Sequence, residues 1–357
     1  MSASASPEKT RDDQRAATGR DVARLAGVSQ AAVSLVLNGA AACHGLSEAT
    51  QRRVRSAADK LSYVPNHAAR SLRRKRTNTI TFMTADLGNR YFAEVVTAAE
   101  ALARARGYVV NVVAARTEAD EIATIERLSN GVSDGLVVHG GARWTSDEIL
   151  RLRRRGLACV LLQDSGAGEN DAATIPCVRV DIELGGFLAT RHLLELGHRR
   201  VAHITDERMA EQPINDRLAG YRRALSEADI EFDPALVMSG VNSFAGGDAA
   251  MRSLMADARP TAVFVFNDQM AIGCLHALSA LGMRVPQDVA IVGFDGTELG
   301  AFSIPELTTI DHPRRELGRL AAQAMLDLLE GRGDPTGIPT LPVRLVVRRS
   351  CGGQPTI

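Results

Sequence analysis

The chain has 357 residues, 45% of them hydrophobic, which is too much for one small core and sets an expectation of two or three packing units. No apolar run approaches the roughly 18 residues of a membrane span, and residues 1–17 lack the apolar centre of a secretory leader, so no membrane partner is expected and the cytoplasm is the expected compartment. The formal net charge of zero conceals a segregation: residues 1–77 carry 14 Lys and Arg against 6 Asp and Glu, the rest 28 against 36, so only a basic head suits a polyanion.

The first elements lie in DVARLAGVSQAAVSLVLNG, residues 21–39, two short apolar-periodic segments interrupted at Gly27. Two helices that cross steeply need a residue tolerating φ > 0 in the turn and apolar anchors behind it, here Ala23, Val28, Val33 and Val36. This is helix-turn-helix spacing. Asp21 or a neighbour opens the first helix, and Ser29 caps the second. A third amphipathic helix in SEATQRRVRSAADKLSY brings Val54, Ala57, Ala58 and Leu61 to the same core. With Ser29 as cap, Gln30, Ala31, Ser34, Leu35 and Asn38 lie outward along the second helix. Gln30 suits adenine, Ala31 and Leu35 suit thymine methyls, and Ser34 or Asn38 suits phosphates. Any small helical domain contains apolar periodicity; the glycine, the capping serine and the adjacent positive charge together favour a DNA reader.

Residues 63–78, YVPNHAARSLRRKRTN, follow. Pro65 stops the third helix, Asn66 can cap a new one, and HAARSLR is shorter than the ~12 residues an isolated helix needs. A solvated basic linker is one reading. The other is a helix formed in the minor groove, with Ala68 and Ala69 paired against a symmetry mate and Leu72 wedged between base steps.

Residues 79–349 alternate apolar runs with amphipathic stretches, the pattern of parallel sheets covered on both faces. TITFMTA, YVVNVVAA, GLVVHG, ACVLLQD, CVRVD, RVAHIT, AVFVFN and VAIVGFD are the strand candidates, with helices such as FAEVVTAAEALARARG and FLATRHLLELG between them. That is enough for two doubly wound sheets. Ligands bind beyond strand C-termini in such sheets, which selects LGNRYF (Asn89, Tyr91 and Phe92 among them), Asp164, Asp181, Asn267, Asp268 and Asp295; Arg217 in NDRLAGY sits at a helix start. Simple helix capping is the competing reading for the acids.

The five cysteines, Cys43, Cys159, Cys177, Cys274 and Cys351, form no C-x-x-C pair, so reduced structural thiols are expected, with neither zinc nor disulfide. Phosphate-loop, nucleophile-elbow and H-E-x-x-H signatures are absent, and His192, His198 and His203 read as surface or packing residues. No enzyme activity and no cofactor are expected.

In order, DVARLAGVS, VSLVLNG, YVPNHAARSLR, RTNTI, FAEVV, RHLLELGHRRVAHI, RLAGY, FNDQMAIG, RVPQDVAIVGFD and PELTTI resemble the LacI/GalR family of transcription regulators over residues 18 to about 349. The resemblance implies a helix-turn-helix domain at 18–64, a hinge helix and linker at 65–77 with Asn66, Ala69 and Leu72 toward DNA, and a periplasmic-binding-protein-like core at 78–349. The core's N-subdomain would be about 78–177 with 314–342, its C-subdomain 178–313 with 343–349, leaving tails at 1–17 and 350–357. It further implies a homodimer on pseudo-palindromic double-stranded operator DNA, most often as a repressor, controlled by a small effector in the interlobe cleft. Positions matching Arg217, Asn267 and Asp295 line that cleft in the family and suit a polyhydroxylated ligand, with Tyr91 or Phe92 to stack on a ring face. Two departures bear on specificity. Leu35 stands where the family usually has arginine, removing a guanine-reading fork, and the loop NGAAACHGLS is longer than usual. Asn242 occupies the usual stacking position, with Phe244 two residues on. A sugar leads as effector class; a nucleoside, or a core that docks a protein partner instead, is also compatible, and a DNA-tethered enzyme would need a catalytic constellation that the sequence lacks.

Overall fold

Thr18 and Asp21 start the first helix together: the Asp21 carboxylate accepts the Thr18 N–H at 3.0 Å and its hydroxyl at 2.6 Å. Helix α1 (Gly19–Ala26) therefore begins two residues before Asp21. The computed structural model describes residues 17–38, 41, 44–64, 76–85, 87–88, 90–139, 152–162, 176–207, 211–333 and 337–354. Asn66, Ala69, Leu72, Asn89, Asp164 and Cys43 lie outside the described residues, as do most of the expected terminal tails. The chain divides into two units, Met1–Lys75 and Arg76–Ile357.

In the first unit α1 is followed by α2 (Gln30–Leu37) and α3 (Glu48–Lys60). Val22, Val33, Val36, Val54, Ala57 and Ala58 form its buried centre. Gly27 takes φ 63° and ψ 44°, and the Val28 N–H returns to the Ala23 carbonyl at 3.0 Å. That left-handed residue turns the chain sharply enough for α2 to cross α1.

The second unit holds two sheets. Strands β1 (Thr79–Thr84), β2 (Val109–Ala114), β3 (Gly135–His139), β4 (Ala158–Leu162) and β5 (Cys177–Val178) form an all-parallel sheet ordered β2-β1-β3-β4-β5. Helices α4 (Arg90–Ala105) and α5 (Glu118–Ser129) alternate with its strands in sequence. Next come α6 (Ile182–Glu195), β6 (Val201–Asp206), α7 (Glu211–Glu227), β7 (Val237–Gly240), α8 (Phe244–Asp257), β8 (Ala262–Val265), α9 (Asp268–Ala280), β9 (Ala290–Asp295), α10 (Glu298–Ala301) and β10 (Thr308–Asp311). Then α11 (Arg314–Leu329) returns to pack on the first sheet, and β11 (Arg344–Val346) completes the second, ordered β11-β10-β9-β8-β6-β7. Only the β10–β11 pair in that sheet is antiparallel. We call the two halves the N-lobe and the C-lobe.

All eight apolar runs contain strands, although CVRVD forms only the short β5 and a bridge from Val180 to Leu341. Strands β7, β10 and β11 have no counterpart among those runs. Arg217 is the seventh residue of α7 and not its start; the helix runs back through Pro213, which the first turn tolerates because its missing N–H has no partner there.

Among the described residues the chain passes between the lobes at 179–181, 312–313 and 341–343. The outer passages are tied together: Asp181 N–H donates to Leu341 O at 3.0 Å and Leu341 N–H to Arg179 O at 2.9 Å. The packed core also runs beyond residue 349. Ser350 is fully buried, its hydroxyl donating to Ile291 O at 2.7 Å and accepting from Thr308 N–H at 2.8 Å, because it completes bonding at the ends of β9 and β10. The described cysteines, Cys159, Cys177, Cys274 and Cys351, are buried, with no disulfide among them. Burial pushes the Cys159 thiol up to about 12.

Candidate functional site

In the first unit the Ser29 hydroxyl accepts the Ala32 N–H at 3.2 Å and fixes the start of α2. Val33 and Val36 then point inward, 2% and 3% exposed. At 100° per residue, Gln30, Ser34, Asn38, Ala31 and Leu35 share an arc of about 140° on the opposite side. Gln30 and Ala31 are exposed; Ser34, Leu35 and Asn38 are half-buried. Asn38 Nδ2 donates to the Ser34 carbonyl at 2.7 Å and to Ser34 Oγ at 3.1 Å. These two expected phosphate ligands are thus also engaged with each other, and reaching a backbone would require Asn38 to exchange one of those bonds. The arc carries no ionised side chain, so base reading there rests on one amide and two apolar groups.

In the second unit, the C-terminal ends of β8 and β9 come close to the passage at 312–313 through Phe266, Arg217 and Phe294. Arg217 from α7 is 6% exposed, its guanidinium carbon 4.2 Å from the ring centroids of both Phe266 and Phe294. Burial draws its pKa below the ordinary arginine value, opposed chiefly by the charge of Asp295 and then by Tyr91. Cation–π contact with two rings and a facing carboxylate keep a buried cation tolerable. Asp295, at the end of β9, is 6% exposed and held at φ 100°, followed by Gly296 at φ 66°. A side chain in that backbone region is strained.

Asp268 supports this turn from beneath. Its carboxylate accepts Thr297 N–H at 2.6 Å, Thr297 Oγ1 at 2.9 Å and Thr309 Oγ1 at 2.6 Å, while Gly296 N–H reaches Thr309 Oγ1 at 3.2 Å. Burial lifts Asp268 to about 6, against the pull of those donors. Asp268 is therefore internal support and neither caps a helix nor faces a ligand. Asn267 serves two ends: Oδ1 caps α9 by accepting Met270 N–H at 2.9 Å, and Nδ2 donates to Asn242 Oδ1 at 2.8 Å. Phe244, in the first turn of α8, is 46% exposed.

On the N-lobe side Tyr91 is 4% exposed, its hydroxyl 3.3 Å from His312 Nδ1 and its ring edge-on to that imidazole at 4.7 Å. Burial holds His312 well below the ordinary histidine value, with Arg217 and Arg314 acting in the same direction, so it is neutral near pH 7. Phe92 is a core residue: 3% exposed, it packs on His139 at 4.9 Å and Phe82 at 6.5 Å. The ring-stacking role expected of Tyr91 or Phe92 does not fit, since both rings are already covered by protein.

Arg217, Asp295, Tyr91 and His312 thus converge where the lobes join, with Asn267 and Asn242 paired nearby in the C-lobe. His312, Phe266 and Phe294 also belong to this site and are not among the residues that the strand-end rule selects from the sequence. His312 directly follows β10, so the strand-end rule would have found it had TTID been read as a strand. His203 is not a ligand group: it is fully buried, stacked on Phe264 at 4.7 Å, and held down to about 4 by burial. Chemically, a guanidinium and a carboxylate beside neutral hydroxyl, imidazole and amide groups can divide donors and acceptors among adjacent hydroxyls.

Residues 18–66 match the family model described as bacterial regulatory proteins, lacI family, and residues 190–351 match that of a periplasmic binding protein-like domain. The HTH-type transcriptional repressor PurR of Aliivibrio fischeri is 32% identical over 345 residues, covering 95% of this chain and 99% of the relative. The ribose operon repressor of Escherichia coli K12 is 37% identical over 315 residues, 87% of this chain and 92% of the relative. Among solved structures, the lac repressor dimer bound to operator and the anti-inducer ONPF aligns with TM-score 0.80 at 28% identity, covering 94% of this chain and 99% of that one. No helix among the described residues is long and apolar enough to cross a membrane.

Proposed function

The chain belongs to the LacI family of bacterial regulatory proteins and is a DNA-binding transcriptional regulator; from that premise we propose that it is a homodimeric, non-catalytic repressor released from or fixed on its operator by a small polyhydroxylated effector. The observation that carries the effector class is the buried Arg217–Asp295 pair beside Tyr91 and His312. Without an open aromatic face at Tyr91 or Phe92, and with Asn242 hydrogen-bonded to Asn267, the cleft favours hydroxyl recognition over base stacking. A sugar fits this better than a purine, and a ribose operon repressor is among the relatives.

In this reading each head lays α2 in a major-groove half-site, Gln30, Ala31 and Leu35 read bases, and Asn66, Ala69 and Leu72 are assigned to the minor groove between them. Leu35 contributes a thymine-methyl contact where relatives would place a guanine contact. Dimerisation is supported by apolar side chains that a lone chain leaves in water: Phe302 is 79% and Ile304 95% exposed, and Val109 on edge strand β2 is 59% exposed. Effector coupling of ~1–3 kcal/mol would change operator affinity roughly five- to a hundredfold.

A thermal-shift panel of monosaccharides, disaccharides, nucleosides and purines tests the ligand class. A saturable shift with a sugar that disappears in Asp295→Ala is expected. A shift only with purines, or one that persists in the variant, would reject the hydroxyl-recognition reading.

A further inference from the structure

We propose that helix α11 is the rod connecting the cleft to the linker that leads to the DNA-binding unit, with Arg314 and Arg76 as the residues that engage its two ends. This rests on the reading that Asp295 faces the effector. A 16-residue helix spans about 24 Å, and α11 runs from Arg314 to Leu329.

At the cleft end the Arg314 guanidinium donates to the backbone carbonyl of Asp295, to Glu94 Oε2 at 3.1 Å and to Asp311 Oδ1 at 3.4 Å. Its side chain is 12% exposed. Asp311 is held in turn by Arg344 Nη2 at 2.8 Å. The adjoining turn has no slack: a Cβ on Gly296 would stand 2.5 Å from Asp311 Oδ1 and 3.0 Å from Arg314 Nη1. The residue offering its carboxylate to the cleft therefore offers its carbonyl to the first residue of α11.

At the other end Arg76 Nη2 donates to the Leu329 carbonyl at 2.7 Å. Arg106 binds the next residue, Glu330, at 3.2 Å. Arg76 follows the sequence that joins core to head, and the two residues after it are fastened to β3's approach: Asp134 accepts Thr77 N–H at 2.6 Å and Asn78 N–H at 2.8 Å. Between the ends, α11 is locked to α4. A Cβ on Gly318 would lie 2.0 Å from Val95 O, and Leu317, Ala321, Met325 and Leu326 are buried. Close-packed helices shift as bodies and do not deform continuously, so displacement of the Asp295 turn moves Leu329 and the arginine bound to it.

Hydrogen–deuterium exchange on the full-length protein, without DNA or sugar, tests the rod. Arg314→Gln removes a charged donor, and the amides of Asp295–Glu298 should exchange roughly tenfold faster, the factor expected for losing a charge-assisted hydrogen bond; Thr77 and Asn78 should accelerate too. Coupling is reciprocal, so Arg76→Gln should accelerate residues 295–298. Arg319→Gln, which breaks an exposed pair with Glu316 on the same helix, should leave both ends unchanged. Acceleration confined to the mutated end, or equal acceleration in Arg319→Gln, overturns the proposal. If Arg314→Gln does not fold, Arg76→Gln and Glu94→Gln decide it by the same remote readout. Because no sugar is used, a failed ligand screen would sink the effector reading without altering this result.

Discussion

Gly318→Ala sets two well-known tendencies against each other. Gly318 sits inside α11, where alanine is favoured by about 1 kcal/mol on helix propensity alone. Its added Cβ, however, would lie 2.0 Å from Val95 O and 2.9 Å from Val95 C. The obstacle is backbone of α4, which cannot rotate aside as a side chain can. Restoring an ordinary 3.4 Å contact requires the helices to part by the difference, 1.4 Å, loosening the buried Leu317, Ala321 and Ala322. Overpacking of this kind costs about 1–3 kcal/mol, and a rigid obstacle places it near the upper end. After the propensity gain we expect a net loss of about 1–2 kcal/mol, or roughly 2–8 °C in the melting midpoint for a core of this size. Differential scanning fluorimetry and calorimetry read this directly. An unchanged or higher midpoint would refute the claim that α4 and α11 meet at backbone contact.

Two shorter predictions concern other regions. His203 is neutral in the fold, its pKa lowered to about 4 from 6.5, so its contribution is complete above pH 6.5 and is lost as pH falls toward 4. The wild type should lose up to about 3 kcal/mol across that window relative to His203→Phe; parallel melting profiles from pH 4 to 7 would contradict the assignment. Gln30→Ala should weaken specific operator binding by about 1–3 kcal/mol and relax preference at one base pair, as measured by selection from a randomised half-site; equal weakening on random DNA would remove Gln30 from base reading.

Local chemistry made the first unit legible. Gly27 and Ser29 act on residues within four positions of themselves, so their roles need no tertiary information. The central strands were legible because burial on both faces demands unbroken apolar runs, as in β8 and β9. Strands β7 and β11 were hidden for the opposite reason: they are short sheet edges with partly exposed residues. TTID escaped because its buried threonines satisfy their hydroxyls on Asp268 and Cys351, contacts supplied by distant segments. The same limit applied in the cleft. Strand ends pointed to Asn267 and Asp295, but the rings that shelter Arg217 are set by packing between α7 and two strands. Only that packing shows Phe92 belonging to the core and Asp268 holding up a turn.

Asn267 fixes more than a helix end. Its carbonyl oxygen is committed to the Met270 N–H, and turning the amide over would set two donors against each other. The start of α9 thereby decides which pole of this side chain faces Asn242, and that pole is a donor. Asn242 must in turn present its carbonyl oxygen there, so a scaffold demand of one helix sets the polarity of a side chain on the neighbouring turn between β7 and α8.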